Sequence, residues 1–278
     1  LVLRTGTLMD LILVGPGRAG SSLALRSIAA GHRIVGVLAR DAETSESAAE
    51  RLDSSPLQWG SALPKADLLV VAVRDDSISE VAELLSSTVG KVEGAVHVSG
   101  SVPIAALAAL DGPMLGSFHP LQTLPNPEAG AARLEGAWVG VTANEDYLAD
   151  RLFSLATSLG MHPFELDDEA KPLYHAAAAA AANYPLAALA MSHRLFEAAG
   201  VPFAAARPLV EAVVANAFDL GPQAALTGPI VRGDLGTVRS QLAAIEAAAP
   251  DLLAAFKAFG RLTAATVGAS DEMDEALA

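Results

Sequence analysis

The chain has 278 residues, enough for two modest domains, and its 52% apolar share against 18% charged residues can bury a sizeable core. Aromatic residues are only 5%, so that core is built mainly from Ala, Leu and Val. The net charge of −14 argues against a nucleic-acid partner, and the lack of cysteine excludes disulfides, thiolate catalysis and zinc–thiolate sites.

No membrane helix is expected: the apolar run Ala176–Ala182 is flanked by Lys171, His175, Asn183 and Arg194. Leu1–Thr7 lacks the apolar core and cleavage pattern of a signal peptide. Met9 stands where a native start would, and a cytoplasmic location is the simple expectation.

From Leu11 to Leu166 short apolar runs alternate with helix-length amphipathic segments, the pattern of parallel α/β architecture. The first strand, Leu11–Val14, leads into Gly15-Pro16-Gly17-Arg18-Ala19-Gly20 and a helix over Arg18–Ala30 closed by Gly31. A second strand follows at Ile34–Ala39. A G-x-G-x-x-G between strand and helix is the dinucleotide-binding fingerprint of a Rossmann domain. Gly15 permits the tight turn, Gly17 lets backbone approach a pyrophosphate, and Gly20 lets helix and strand pack closely.

The end of the second strand selects the dinucleotide. An acid there holds the ribose hydroxyls of NAD, whereas Arg suits the extra phosphate of NADP. Here Arg40 occupies the position and Asp41 follows, so NADP is expected in preference to NAD. The alternatives are a solvated charge for Arg40 and a helix cap for Asp41.

Further strands are expected at Leu68–Val73, Ala95–Val98, Met114–Phe118, Trp138–Val141 and Pro163–Leu166, giving a doubly wound, mostly parallel sheet. Val73 and Arg74 end the third strand and are assigned to the cofactor, as is Ser99 after the fourth. Ser77-Ile78-Ser79-Glu80 reads as a capping box, and Pro103 as a helix start. His119 is expected just after the fifth strand, at the sheet edge where ligands sit, with Gln122 and Thr123 extending its loop. Ser101 is a candidate substrate contact, and His97 reads as buried structure.

Beyond Asp168 only helices are expected: Glu169–Ala199, Phe203–Leu220, Leu235–Ala248 and Asp251–Val267. The domains are therefore 9–167 for the cofactor, 168–269 for substrate and dimerisation, and an acidic tail, 270–278, expected to fray.

Val71-Ala72-Val73-Arg74-Asp75-Asp76, His97-Val98-Ser99-Gly100, Gly116-Ser117-Phe118-His119-Pro120-Leu121-Gln122, Lys171-Pro172-Leu173-Tyr174-His175-Ala176 and Ala225-Leu226-Thr227-Gly228-Pro229-Ile230-Val231-Arg232-Gly233-Asp234 together carry a resemblance. The set resembles bacterial Rossmann-like oxidoreductases whose helical C-terminal domain is catalogued as domain-of-unknown-function family 2520. More distantly the layout is similar to pyrroline-5-carboxylate reductase, ketopantoate reductase and the β-hydroxyacid dehydrogenases. That implies a C-terminal domain like those of 6-phosphogluconate dehydrogenase-like proteins, which carries substrate groups and often the dimer interface.

Lys171 and His175 are four residues apart on one helix face. The β-hydroxyacid dehydrogenases are similar in carrying a Lys and, four residues on, an Asn; His175 departs from that pattern. A carbonyl or imine accepting hydride needs a proton from a positioned acid, a role open to Lys171, to His175 and, from the other domain, to His119. Asn183 is a candidate substrate contact, beside a kink expected at Pro185. In the loop Thr227–Asp234, Thr227 and Arg232 are further candidates, Arg232 as an anion contact. A structural reading stands beside each: a surface Lys171, a core His175, a packing Asn183, an Arg232 paired with Asp234. No cluster has metal-ligand spacing.

The expected activity is NADP-dependent reduction of a small carboxylate-bearing ketone or imine by a homodimer. The competing readings are a non-catalytic NADP sensor or interaction module and a deazaflavin-linked oxidoreductase.

Overall fold

The structure, a computed structural model, describes residues 8–278. Seven strands form one sheet: β1 Asp10–Val14, β2 Arg33–Leu38, β3 Ala66–Val71, β4 Val92–His97, β5 Met114–Leu121, β6 Trp138–Ala143 and β7 His162–Glu165. Their spatial order is β2-β1-β3-β4-β5-β6-β7, and every neighbouring pair is parallel except β5–β6. The chain leaves β1 for β2 on one side and returns to β3 on the other. This places the crevice where such sheets bind ligands beyond the C-terminal ends of β1 and β3.

The sheet carries α1 Arg18–Ala30, α2 Ala42–Arg51, α3 Ile78–Leu85, α4 Pro127–Leu134 and α5 Asp146–Ser158. Leu11 and Leu13 of β1 pack in one core with Leu23, Leu148 and Leu152, and Ile12 and Val14 in the other with Ile78, Ala82 and Leu85. Burial on both faces is why the central strands read as continuous apolar runs. Each such Leu, Ile or Val side chain contributes about 1.5–3 kcal/mol of transfer free energy.

Two local expectations fail. Ser77 forms no capping box: it ends a 3-10 turn, Asp75–Ser77, at φ −105° and ψ −4°. Its hydroxyl donates to Asp76 Oδ1 at 3.0 Å. With its own backbone already helical, the side chain is not set to accept from the next turn. Pro103 likewise opens no α-helix. It caps a single 3-10 turn, Ile104–Leu107, whose Leu107 fills the core.

The chain divides into two compact units, one ending at Ala182 and the other spanning Asn183–Ala278. Strands end at Glu165, but the first turns of the long helix α6, Lys171–Ala198, remain with the sheet unit. The helix runs on through Pro185. The second unit continues with α7 Arg207–Leu220, a short α8 Pro222–Ala225, α9 Leu235–Ala248, α10 Leu253–Val267 and α11 Asp271–Leu277. Its small core is Val238, Ala264, Met273 and Leu277. The acidic tail therefore does not fray. It forms α11, whose Met273 and Leu277 lie one turn apart on a buried face, with Leu277 seated over Gly260. Among the described residues no helix is long and apolar enough to cross a membrane.

Candidate active site

The loop between β1 and α1 has the shape its glycines imply. Gly15 sits at φ +88°, and a Cβ there would stand 2.6 Å from the Ala72 carbonyl oxygen and 2.9 Å from Val73 Cγ1. A Cβ on Gly20 would strike the Gly15 carbonyl oxygen and come within 2.9 Å of Ala72 Cβ, so any side chain would push α1 off the sheet. Gly17, the N-cap of α1, has open space around it. Pro16 and Ala19 are half-buried in this turn and Arg18 is exposed. The helix N-terminus thus presents free amides beside a gap, the ordinary seat of a pyrophosphate.

At the end of β2 the two candidates separate. The Asp41 carboxylate accepts from the Thr44 amide at 2.8 Å as the N-cap of α2, and that bond holds its pKa below the usual carboxylate range. Arg40 is exposed and makes no hydrogen bond or ion pair among the described residues. Both backbone groups of Ala39 are tied by side chains: its amide donates to Ser45 Oγ at 2.8 Å, and Trp59 Nε1 donates to its carbonyl at 2.7 Å. Trp59 lies outside the fingerprint and carried no signal in the sequence. Arg74, beyond β3, pairs with Asp76 on the surface at 3.1 Å.

A second cluster lies at the same edge of the sheet. His119 sits inside β5 rather than after it, because β6 pairs antiparallel with β5 as far as Leu121. Pairing with β4 stops at Ser117, so His119 still lies beyond the parallel part of the strand. Its ring crosses Gly100, where a Cβ would stand 2.6–2.8 Å from three ring atoms. His119 Nδ1 is 2.8 Å from the Tyr174 hydroxyl, the two rings meeting edge to face, and the His175 ring centroid lies 6.3 Å away. Burial, then the nearby His175, lowers the His119 pKa to about 4, so the ring is neutral at neutral pH. Burial also pushes the Tyr174 phenol up to about 12. Tyr174 is the residue that reading Lys171 and His175 as a pair passed over, though it lies between them.

Lys171 and His175 differ in burial. Lys171 is 0% exposed, donating to the Val102 carbonyl at 3.0 Å and pairing with Asp168 at 2.7 Å, while His175 is exposed. Asp168 in turn accepts the Ile104 amide at 3.0 Å. The pair therefore latches the start of α6 to the turn after β4. In that turn Ser99, 7% exposed, accepts the amides of Ser101 and Val102 at 3.2 and 3.1 Å, and Ser101 Oγ donates to Asp75 at 2.7 Å. Both serines thus shape the loop. His97 is buried as expected; its Nδ1 accepts the Ser99 amide and its Nε2 has no partner among the described residues. Burial, then Lys171, lowers its pKa to about 4. Gln122 is exposed and folds back onto the Thr123 amide at 2.8 Å.

The remaining candidates belong to the second unit. Asn183, Thr227 and Arg232 are all exposed. Arg232 forms no ion pair with Asp234, whose carboxylate caps α9 by accepting from the Thr237 amide and hydroxyl at 3.0 and 2.7 Å. Among the described residues no group of His, Cys, Asp and Glu is placed to hold a metal ion.

Family models match two segments: a Rossmann-like domain over residues 4–120 and a domain of unknown function, DUF2520, over 137–263. The chain is a Rossmann-like protein with a DUF2520 domain. The His119–Tyr174 hydrogen bond thus joins the Rossmann-like segment to the DUF2520 segment. No curated protein matches the sequence. Among solved structures, a protein of Bacteroides fragilis provisionally designated an NADP oxidoreductase is similar at 23% identity and a TM-score of 0.78, covering 92% of this chain and 98% of that one. A protein of Thermotoga maritima is similar at 22% identity and a TM-score of 0.70, covering 93% and 98%. A 1-pyrroline-5-carboxylate reductase of Streptococcus pyogenes follows at 17% identity and 0.60, covering 97% of each chain. These likenesses establish the fold.

Proposed function

We propose that this DUF2520 protein is an NADP-dependent oxidoreductase that reduces a small carboxylate-bearing ketone or imine. The observation that carries the reading is the placing of two features at one sheet edge. The glycine cradle follows β1, and a neutral His119 stands on β5, three strands away. Three strand spacings are roughly 14 Å, a distance a dinucleotide spans. Arg40 supports NADP over NAD, since it has no ion-pair partner among the described residues while Asp41 is committed to its cap. The fold likeness to a designated NADP oxidoreductase and to a pyrroline-5-carboxylate reductase points the same way.

When bound, the reduced nicotinamide supplies a hydride to the substrate carbon. Gly17 and the first amides of α1 would hold the pyrophosphate, and Arg40 would take the ribose phosphate. His119 would face the atom on which charge develops. Lys171 and Asp168 hold the Ser99–Val102 turn in place. The assay is NADPH oxidation against small 2-oxo acids and cyclic imino acids. His119→Ala is expected to lower turnover roughly a hundredfold with NADPH affinity within about threefold. NADPH binding without turnover of any such substrate, joined to an unaffected His119→Ala variant, would favour the sensor reading.

Exposed apolar side chains of the helical unit support a homodimer. No residue of α7 is buried, and Leu209, Val213, Val214 and Phe218 are all more than half exposed, Phe218 at 87%. Tyr184 and Leu186 of α6, in the same unit, are exposed as well. At about 100 Å² each, these six side chains supply most of the ~800 Å² per partner of a stable interface.

A further inference from the structure

The structure assigns Tyr174 a positioning role: its hydroxyl donates to His119 Nδ1 and so holds His119 as the Nε2–H tautomer, a neutral donor that takes a carbonyl oxygen rather than a protonated iminium. The inference rests on the oxidoreductase reading and narrows its substrate class to acceptors that arrive unprotonated, a ketone before all, and away from a preformed iminium.

The direction of the hydrogen bond follows from who else is present. Tyr174 is half-buried, and its hydroxyl has no other hydrogen-bond partner among the described residues. A phenol in that setting places its single hydrogen on the one acceptor within reach, Nδ1 at 2.8 Å. The reverse arrangement, Nδ1–H to the phenol oxygen, would leave the phenolic hydrogen with no protein acceptor among the described residues. With Nδ1 as acceptor, a neutral imidazole carries its proton on Nε2, which makes no hydrogen bond among the described residues.

Neutrality is itself built in. Burial, then His175, and with a smaller effect Lys171, disfavour the imidazolium, and only Asp75 opposes them. The edge-to-face contact with Tyr174 and the ring's passage across Gly100 hold one orientation. The site therefore offers a fixed, uncharged N–H. A ketone oxygen has lone pairs to accept it. An iminium nitrogen already carries its proton and has none to offer.

The proton balance closes on these two side chains. As hydride bonds to the carbonyl carbon, the C–O π pair moves onto oxygen, and oxygen takes the Nε2 proton. Nδ1 takes the Tyr174 proton, and the phenolate left behind takes one from water. An alkoxide is a far stronger base than a phenolate, so the transfer runs downhill even with Tyr174 pushed up to about 12.

The test begins without a substrate. Protein carrying ¹⁵N-labelled histidine gives the tautomer of each ring from long-range ¹H–¹⁵N correlations, with His119→Gln identifying the signal. The expected result is Nε2–H for His119, shifting to a mixture of tautomers in Tyr174→Phe. A His119 held as Nδ1–H, or one indifferent to Tyr174→Phe, overturns the assignment. The second arm compares 2-oxobutanoate with 1-pyrroline-2-carboxylate as NADPH-oxidising substrates at a pH below the imine's own pKa, where it is an iminium, with at least tenfold higher kcat/KM expected for the 2-oxo acid. The opposite order overturns the narrowing. Failure to bind NADPH would instead sink the oxidoreductase reading, and the tautomer measurement would stand apart from it.

Discussion

Asp168→Ala tests whether the buried Lys171 is held as a latch. In the intact protein the Lys171 ammonium, 0% exposed, lies 2.7 Å from an Asp168 carboxylate that is 27% exposed. The same carboxylate accepts the Ile104 amide. Removing one partner of a buried pair costs about 3–5 kcal/mol, because it strands the other charge away from water. Water already reaches Asp168, which places the expected loss near ~3 kcal/mol. For a unit of this size that is roughly 6–12 °C in Tm.

The pH dependence carries its own sign. Burial lowers the Lys171 pKa, and Asp168 raises it part of the way back. Without Asp168 the folded-state value falls further below the ordinary lysine value of 10.5. A lysine depressed in the folded state costs stability while it is protonated, and the cost fades as pH climbs from its folded value toward 10.5. Thermal unfolding followed by circular dichroism should therefore show the gap between variant and parent narrowing from neutral pH toward 10.5. Lys171→Met combined with Asp168→Ala should recover part of the loss, since no stranded charge remains. Equal Tm values at pH 7, or a gap constant with pH, would refute the latch.

Gly20→Ala is expected to lift α1 from the sheet, lowering stability by about 1–3 kcal/mol and NADPH affinity at least tenfold; an unchanged Kd by fluorescence titration would contradict the cradle. Gly100→Ala should displace the His119 ring, lowering turnover while NADPH affinity holds, and an unmoved His119 ring signal by NMR would count against it. Light scattering should report about twice the 28.3 kDa chain mass, and Phe218→Glu should shift the population toward monomer. A monomer across micromolar concentrations would remove the dimer.

The sheet was legible because its strands are buried on both faces and its turns carry glycine where positive φ is required, as at Gly15 and Gly31. The fingerprint was legible for the same steric reason. Less visible was anything settled by distant partners. Lys171 and His175 share a helix face by spacing alone, yet the Val102 carbonyl and Asp168 draw one inward and leave the other outside. Ser99 and Ser101 stand at a strand end suited to ligand contact, but they spend their hydroxyls on their own turn and on Asp75. Tyr174 gained its place only when β5 was extended by the antiparallel β6, which no local pattern announces. The acidic tail looked solvated because its charges outnumber Met273 and Leu277, the two residues that dock it.

The central claim is a site for NADP built from the Gly15–Gly20 cradle and Arg40. Its most direct test is titration of the unmodified protein with NADPH and with NADH, followed calorimetrically at one ionic strength. NADPH should bind at least tenfold tighter, a difference of about 1.4 kcal/mol, and Arg40→Ala should lose that preference. Equal affinities for the two cofactors, or no binding of either, would contradict it.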